Sequence, residues 1–418
     1  MRKYLIVTVL LFFVFTQLSS NETSFNRLED LNDFFALKWK RFIGGTSYRT
    51  NICYHNNTII VGSNGMHYAD YSVTDKNNGV YFLNAKTGAV LRHVEKEGFG
   101  DEDVNGLAIH NGRVFFGNDN DEIFCYSTAG KLIWSMPASG DIEAAPALID
   151  INNDNIKDPV FATETGEIAA YNGLNGKKLW SFKQEGFNGW EQTQSRFVFR
   201  IAAHFKNGSG FMCKPLTYDI DNDGTLDVLV TSKDGIVYAI DGSNGEELWK
   251  YNTFFFGTTQ SPIVIKYKGK QYFGVTSGKS ILLLDKAGKK QFEFAFSHWI
   301  SDALPVMLPD NKLIVCHENG ISVLNFETGE VKFSAIEGKI TATPLIEDVL
   351  EEGVSQVVVP MESGKLAILS LDGSIIKVFA FSKGSECSPL YVDVDGDNKK
   401  ELLLSSYDGY LYCYHIKR

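Results

Sequence analysis

The chain has 418 residues, enough for one large core or for two or three smaller ones. Apolar residues make up 44%, aromatics 13% and charged residues 22%, an ordinary globular balance with some aromatic excess. The formal net charge of -11 speaks against nucleic acid and anionic membrane surfaces as partners and favours cations.

The N-terminus reads as a secretory signal peptide over residues 1–20. Arg2 and Lys3 give a short positive region, Tyr4 to Phe15 is almost wholly apolar, and Ser19 and Ser20 follow. The apolar run is shorter than the roughly 20 residues a spanning helix needs. No later stretch is long enough to span a membrane. The first cysteine is Cys53, so a bacterial lipoprotein anchor is not expected. The expectation is an exported protein, secreted or periplasmic, with no transmembrane anchor after cleavage.

Residues 21–418 are expected to form one domain built from an internal repeat. Phe35-Ala-Leu-Lys-Trp39-Lys-Arg-Phe42 comes first, a strand with no strands before it. Then one signature recurs: a strand, a glycine-containing turn, and an aromatic four residues after the glycine. Asn78 leads to Gly88 with Arg92 in the aromatic slot, Glu122 to Gly130 and Trp134, and Gly166 to Gly176 and Trp180. Gly235 leads to Gly245 and Trp249, Lys279 to Gly288 and Phe292, Gly320 to Gly329 and Phe333, and Gly364 to Gly373 and Lys377. The eighth copy, Asp408 to Tyr414, has no aromatic strand after it.

Most steps between copies are roughly 41 to 45 residues, the range of a propeller blade. One step is longer because of an insertion at 186–210, between the third and fourth copies, which carries Trp190, Phe197 and Phe199 among Arg196 and Arg200. Each copy also has two strands ahead of its signature, such as Ala145 to Ile149 and Pro159 to Thr163. Four short strands per repeat with glycine turns predict an all-β, eight-bladed β-propeller with four-stranded antiparallel blades. The displaced strand around Trp39 is expected to complete the last blade and close the ring, which removes exposed edges. A sandwich has no eightfold period, and a solenoid has no need to exchange its ends. The aromatic slots are read as packing devices between blades, each burial contributing about 1.5–3 kcal/mol.

Three repeats carry an acidic loop between their first and second strands. They are Asp150-x-Asn152-x-Asp154-x-x-x-Asp158, Asp219-x-Asp221-x-Asp223-Gly-x-x-Asp227, and Asp393-x-Asp395-x-Asp397-x-x-x-Glu401. Each begins four residues after a proline, at Pro146, Pro215 and Pro389. Calcium takes six to eight oxygen ligands, and side chains at slots one, three, five and nine with the slot-seven carbonyl (Ile156, Thr225, Lys399) supply such a set. The bland alternative is a solvated acidic turn, since Asp, Asn and Gly favour turns. A fourth loop after Pro344 starts with Asp348 but has Leu350 and Gln356 at slots three and nine, so it is not expected to bind. The expected role of calcium is structural: it ties down carboxylates that repel one another.

The run from Gly235 to Trp249 closely resembles the blade motif of the quinoprotein-like, or PQQ-like, β-propellers, and Gly166 to Trp180 and Asn78 to Arg92 resemble it less closely. The resemblance covers essentially all of the mature chain and implies an eight-bladed propeller. That family includes quinone-dependent alcohol dehydrogenases and non-catalytic members, such as the propeller lipoprotein of the bacterial outer-membrane assembly machinery, so fold does not fix function. The acidic loops are similar to the FG-GAP-type calcium loops of integrin-like propellers.

Quinone-dependent dehydrogenases of the family typically have an adjacent cysteine pair, and this sequence has none. PQQ is therefore not an expected cofactor. The eight histidines are scattered, without HExxH or HxH, and there is neither GxSxG nor a P-loop. The six cysteines lie far apart with no CxxC and read as buried thiols in strands. Sequons stand at Asn21, Asn56 and Asn207. Tyr68 and Tyr71, in the loop from Met66 to Asn77, and the 186–210 insertion are the candidate contact surfaces. The sequence is thus read as an exported, monomeric, non-catalytic propeller that acts as a protein-interaction or envelope scaffold. A PQQ-dependent dehydrogenase-like or hydrolytic enzyme, and a carbohydrate- or ligand-binding module, are the alternatives.

Overall fold

A computed structural model describes residues 28–66, 76–95, 103–184, 210–254 and 259–417. The signal peptide, the sequons at Asn21 and Asn207, Tyr68, Tyr71, and the insertion except Gly210 lie outside the described residues.

Eight sheets follow one another along the chain, and the first six are antiparallel meanders of four consecutive strands. The first blade comprises Ile52–His55, Thr58–Asn64, Asn78–Asn84 and Val90–Val94. The fourth comprises Leu216–Tyr218, Asp227–Thr231, Ile236–Ile240 and Glu247–Asn252. First strands of neighbouring blades touch one another, which places them around the axis of the ring. Second strands such as Asp158–Ala162 and Asp227–Thr231 are buried at every position, because each lies between two neighbouring blades. Their continuous apolar runs follow from that two-sided burial. Fourth strands such as Lys178–Lys183 alternate buried and exposed, as outer strands should.

The ring closes as expected. Phe35–Phe42 pairs antiparallel with Tyr410–Ile416, so the eighth blade takes its fourth strand from the other end of the sequence. One blade exceeds the expected four strands. Glu29–Asp30 pairs parallel with the outer strand Ile375–Ala380 of the seventh blade and makes it five-stranded. A single helical turn, Leu31–Phe34, then carries the chain across to the eighth blade. In that arm Glu29 pairs with Lys377 at 3.1 Å, and the rings of Phe34 and Phe379 lie 5.2 Å apart. The arm covers the blade whose aromatic slot holds Lys377 instead of a tryptophan.

The four tryptophan slots bolt their blades to the next. Trp39, Trp134, Trp180 and Trp249 donate from Nε1 to the carbonyls of Ala85, Gly173, Gly242 and Lys286, at 2.8–3.1 Å. All four acceptors lie in the turn between third and fourth strands of the following blade. The recurring turn glycine has a second job there. At Gly88, Gly176, Gly245 and Gly288 a Cβ would fall 2.5–2.8 Å from the preceding blade's indole. These glycines also have positive φ, which L side chains rarely adopt.

All six cysteines are free, and five are buried. Burial pushes the thiols of Cys125 and Cys387 up to about 12.

Candidate functional site

The acidic loops join first to second strands, on the same end of the ring as the turns between third and fourth strands. Four loops share one backbone. Slots four and six are left-handed in each: Asn153 and Asn155, Asn222 and Gly224, Glu351 and Gly353, Gly396 and Asn398. Asn and Gly tolerate that region best, so the sequence spacing reports this backbone first.

Slot nine has a structural task in all four. Asp158, Asp227 and Glu401 are buried and accept from the slot-two amides of Ile151, Ile220 and Val394, at 3.0, 2.7 and 3.0 Å. Gln356 accepts from the Leu350 amide at 3.2 Å. In the third and fourth blades the other slot-nine oxygen accepts from the turn amides of Gly173 and Gly242, at 2.8 and 3.1 Å. Burial pushes the carboxyls of Asp158 and Asp227 above the ordinary range, against these amides.

The remaining carboxylates differ from blade to blade. In the third, Asp150 accepts from the amides of Asp154 and Asn155, both at 3.1 Å, and Asp154 accepts from Ile156 at 2.7 Å and from the Asn152 side chain at 3.0 Å. These oxygens are engaged by the loop itself. In the fourth, Asp219, Asp221 and Asp227 bring carboxylate oxygens within 4.8 Å of one another. Asp219 Oδ1 is buried and has no donor among the described residues. Asp223 turns back to the Thr225 amide at 2.6 Å and stands outside that trio. In the eighth, Asp393, Asp395 and Glu401 form a second trio, without Asp397. Lys38 reaches into it from the exchanged strand, 2.8 Å from both Asp395 and Glu401. The pairing with Lys38 holds the Asp395 carboxyl below its ordinary value. In the seventh loop Asp348 accepts from the amides of Glu352 and Gly353, and Leu350 packs in the core with Leu31 and Phe35.

Hard carboxylate oxygens in groups of three suit calcium better than a softer metal. Lys38 escaped the sequence reading because it lies 363 residues from Glu401. Its one local signal is that a lysine precedes Trp39, where Ile133, Leu179 and Leu248 precede the tryptophans in the other three tryptophan slots.

At the axis the blades are tied by polar side chains. Asn51 donates to the Leu107 carbonyl and accepts from its amide, both at 2.9 Å. Gln260 binds the carbonyls of Ser301 and Ala303, and Thr259 donates to Asp302 at 2.7 Å. They line a cavity of about 260 Å³ with Arg49, Lys214 and Ser388.

The family model described as outer membrane protein assembly factor BamB matches residues 76–217. The crystal structure of BamB from Moraxella catarrhalis is similar over 91% of this chain and 99% of that one, with 16% identity and a TM-score of 0.63. The chain has the fold of the PQQ-like β-propellers. A europium-containing methanol dehydrogenase matches this propeller over 91% of the chain and 93% of its own, at 12% identity and TM-score 0.69. Quinohemoprotein alcohol dehydrogenase from Comamonas testosteroni matches over 91% and 76%, at 12% identity and TM-score 0.65. A second family model, described as the lambda-carrageenase β-propeller domain, matches residues 201–303. No curated protein sequence matches the propeller. At these identities the likeness to solved structures is one of fold. No helix among the described residues is long and apolar enough to cross a membrane.

Proposed function

We propose that this propeller is an exported, non-catalytic scaffold that holds a protein partner, with calcium in the loop of its fourth blade. The observation that carries the scaffold reading is the match of residues 76–217 to the BamB family model, with likeness to that assembly factor over nearly its whole length. The axis adds physical support. Asn51, Thr259 and Gln260 spend their polar groups on neighbouring blades. Such inter-blade bonds make the ring rigid, and a rigid ring presents loops in a fixed arrangement. Purification from the native source under mild conditions should give a stoichiometric complex with a second protein. Alcohol-dependent dye reduction after addition of PQQ and calcium would overturn the non-catalytic reading.

The calcium reading rests on the buried, donorless oxygen of Asp219 beside Asp221 and Asp227. A ligand that binds only the native state raises the unfolding midpoint. Calcium should therefore raise the melting temperature over chelator-treated protein. Asp221→Ala should abolish most of that rise, and Asp348→Ala should leave it intact. An identical midpoint with calcium and with chelator removes the metal.

A carbohydrate-binding role is the second reading. It is favoured by the carrageenase-propeller match over residues 201–303 and by Trp299, which is 52% exposed and lies in that segment. Retention on a glycan array that Trp299→Ala abolishes would select it.

A further inference from the structure

The structure assigns Lys38 the place of a metal ion in the eighth blade: its ammonium, carried in on the exchanged strand, closes the Asp393–Asp395–Glu401 loop and keeps a divalent cation out. This rests on the calcium reading of the acidic loops and makes it selective among blades.

The argument starts at slot nine. In the third and fourth blades that carboxylate has two backbone donors, the slot-two amide and the glycine amide of the turn between third and fourth strands. The eighth blade retains the first donor, Val394 N at 3.0 Å. It has no such turn, because its fourth strand comes from the opposite end of the sequence. Lys38 Nζ takes the vacant role and donates to Glu401 Oε1 at 2.8 Å. Strand exchange thus removes a donor and supplies its replacement.

The same ammonium lies 2.8 Å from Asp395 Oδ2. It is therefore a cation seated between two carboxylates of the trio. The Lys38 side chain is 22% exposed, that of Asp395 13% and that of Glu401 2%, so the group is largely shielded from water. A calcium ion bound to the trio would sit within a few ångströms of a positive charge, where repulsion is weakly screened. Those carboxylates cannot serve both cations.

The fourth blade is built the other way. Leu248 stands where Lys38 stands, immediately before the tryptophan. Lys286 approaches its loop but binds the Asp219 carbonyl and the Asn222 side chain, at 2.9 and 2.6 Å, and leaves the three carboxylates unpaired with it. The third blade has Asn152 at slot three and brings no carboxylate trio together among the described residues, and the seventh replaces slot three by Leu350. Among the four loops only the fourth blade's retains a carboxylate trio without an internal cation.

Calcium titration of the full-length mature protein, by calorimetry and by equilibrium dialysis with calcium alone as the probe, tests this. Wild type should bind one ion, and Lys38→Met should bind two. Asp395→Asn, made in the wild-type background, should leave the stoichiometry unchanged, and Asp219→Asn should reduce it to zero. Equal stoichiometry in wild type and Lys38→Met overturns the inference, as does loss of an ion in Asp395→Asn. The Asp395→Asn arm decides the matter if Lys38→Met does not fold. No ion in wild type with one in Lys38→Met would sink the fourth-blade reading and uphold the role of Lys38.

Discussion

The contact between Trp180 and Gly245 separates two costs that a glycine substitution normally mixes. Gly245 has φ +82°, and a Cβ there would lie 2.7 Å from Trp180 Cε3. Gly329 occupies the same turn position two blades on, with φ +73°, but nothing lies within 4 Å of its Cβ position. Gly329→Ala therefore costs only left-handed strain, about 1–2 kcal/mol, reduced by the lower entropy of its unfolded chain. Gly245→Ala adds the overlap with a packed indole, for which about 1–3 kcal/mol is typical of overpacking. Trp180→Ala alone should cost about 3–5 kcal/mol, since the ring is 7% exposed and donates to Gly242. Urea unfolding of the two single variants and their double closes a thermodynamic cycle. The overlap disappears once the indole is gone, so Gly245→Ala in the Trp180→Ala background should fall to the Gly329→Ala value. A coupling of about 1–3 kcal/mol is expected. Additive costs, within about 0.5 kcal/mol, would refute the bolt between blades.

Two further predictions concern the ring's closure and its opposite end. Leu31 is 3% exposed and packs with Val349, Leu350 and Phe379, so Leu31→Ala should destabilise by about 2–4 kcal/mol in chemical unfolding. A loss below about 0.5 kcal/mol would show that the arm merely rests on the seventh blade. Glu386 faces Glu362, Lys339, Arg49 and Tyr407, and burial together with the Glu362 charge pushes its carboxyl from 4.5 up to about 7. Between those values the unfolded chain ionises first, so the contribution of Glu386 to stability falls as pH rises from 4.5 to 7 and the full cost remains above. Glu386→Gln should match wild type near pH 4.5 and exceed it at pH 8 by about 1–3 kcal/mol. A variant that is no more stable at pH 8 would refute the cost of this half-buried charge.

Ring architecture was legible in the sequence because its determinants are local and repeated. The glycine turn and the paired strands ahead recur in most copies, an aromatic follows four residues later in five of them, and the lone strand around Trp39 announced the exchange. The fifth strand of the seventh blade was not legible. Glu29 and Asp30 carry no alternation, and their pairing with Phe379 and Ala380 is fixed by distant groups, the Glu29–Lys377 ion pair and the seat of Leu31. Leu350 is legible only in retrospect. It reads as a lost ligand, yet it packs beneath the N-terminal arm.

The acidic loops show where the boundary falls. Asp, Asn and Gly at fixed spacing specify a backbone with two left-handed residues, and the seventh loop adopts that backbone with Glu351 in one of those positions and Leu350 between its acids. The backbone therefore does not need three carboxylates, and neither does the slot-nine cap, which Gln356 provides as an amide. Asp150, Asp348 and Asp393 bind amides of their own loops, whereas Asp219 accepts none among the described residues and keeps a buried oxygen without a donor. A buried acceptor left unmet costs about 1–3 kcal/mol, and loop folding gives no reason to carry it. The spacing of acidic residues thus identifies a loop type shared by four blades. Asp395 Oδ1 in the eighth blade is likewise buried without a donor, and what separates that loop from the fourth is the cation already seated on it, Lys38, brought from the far end of the sequence.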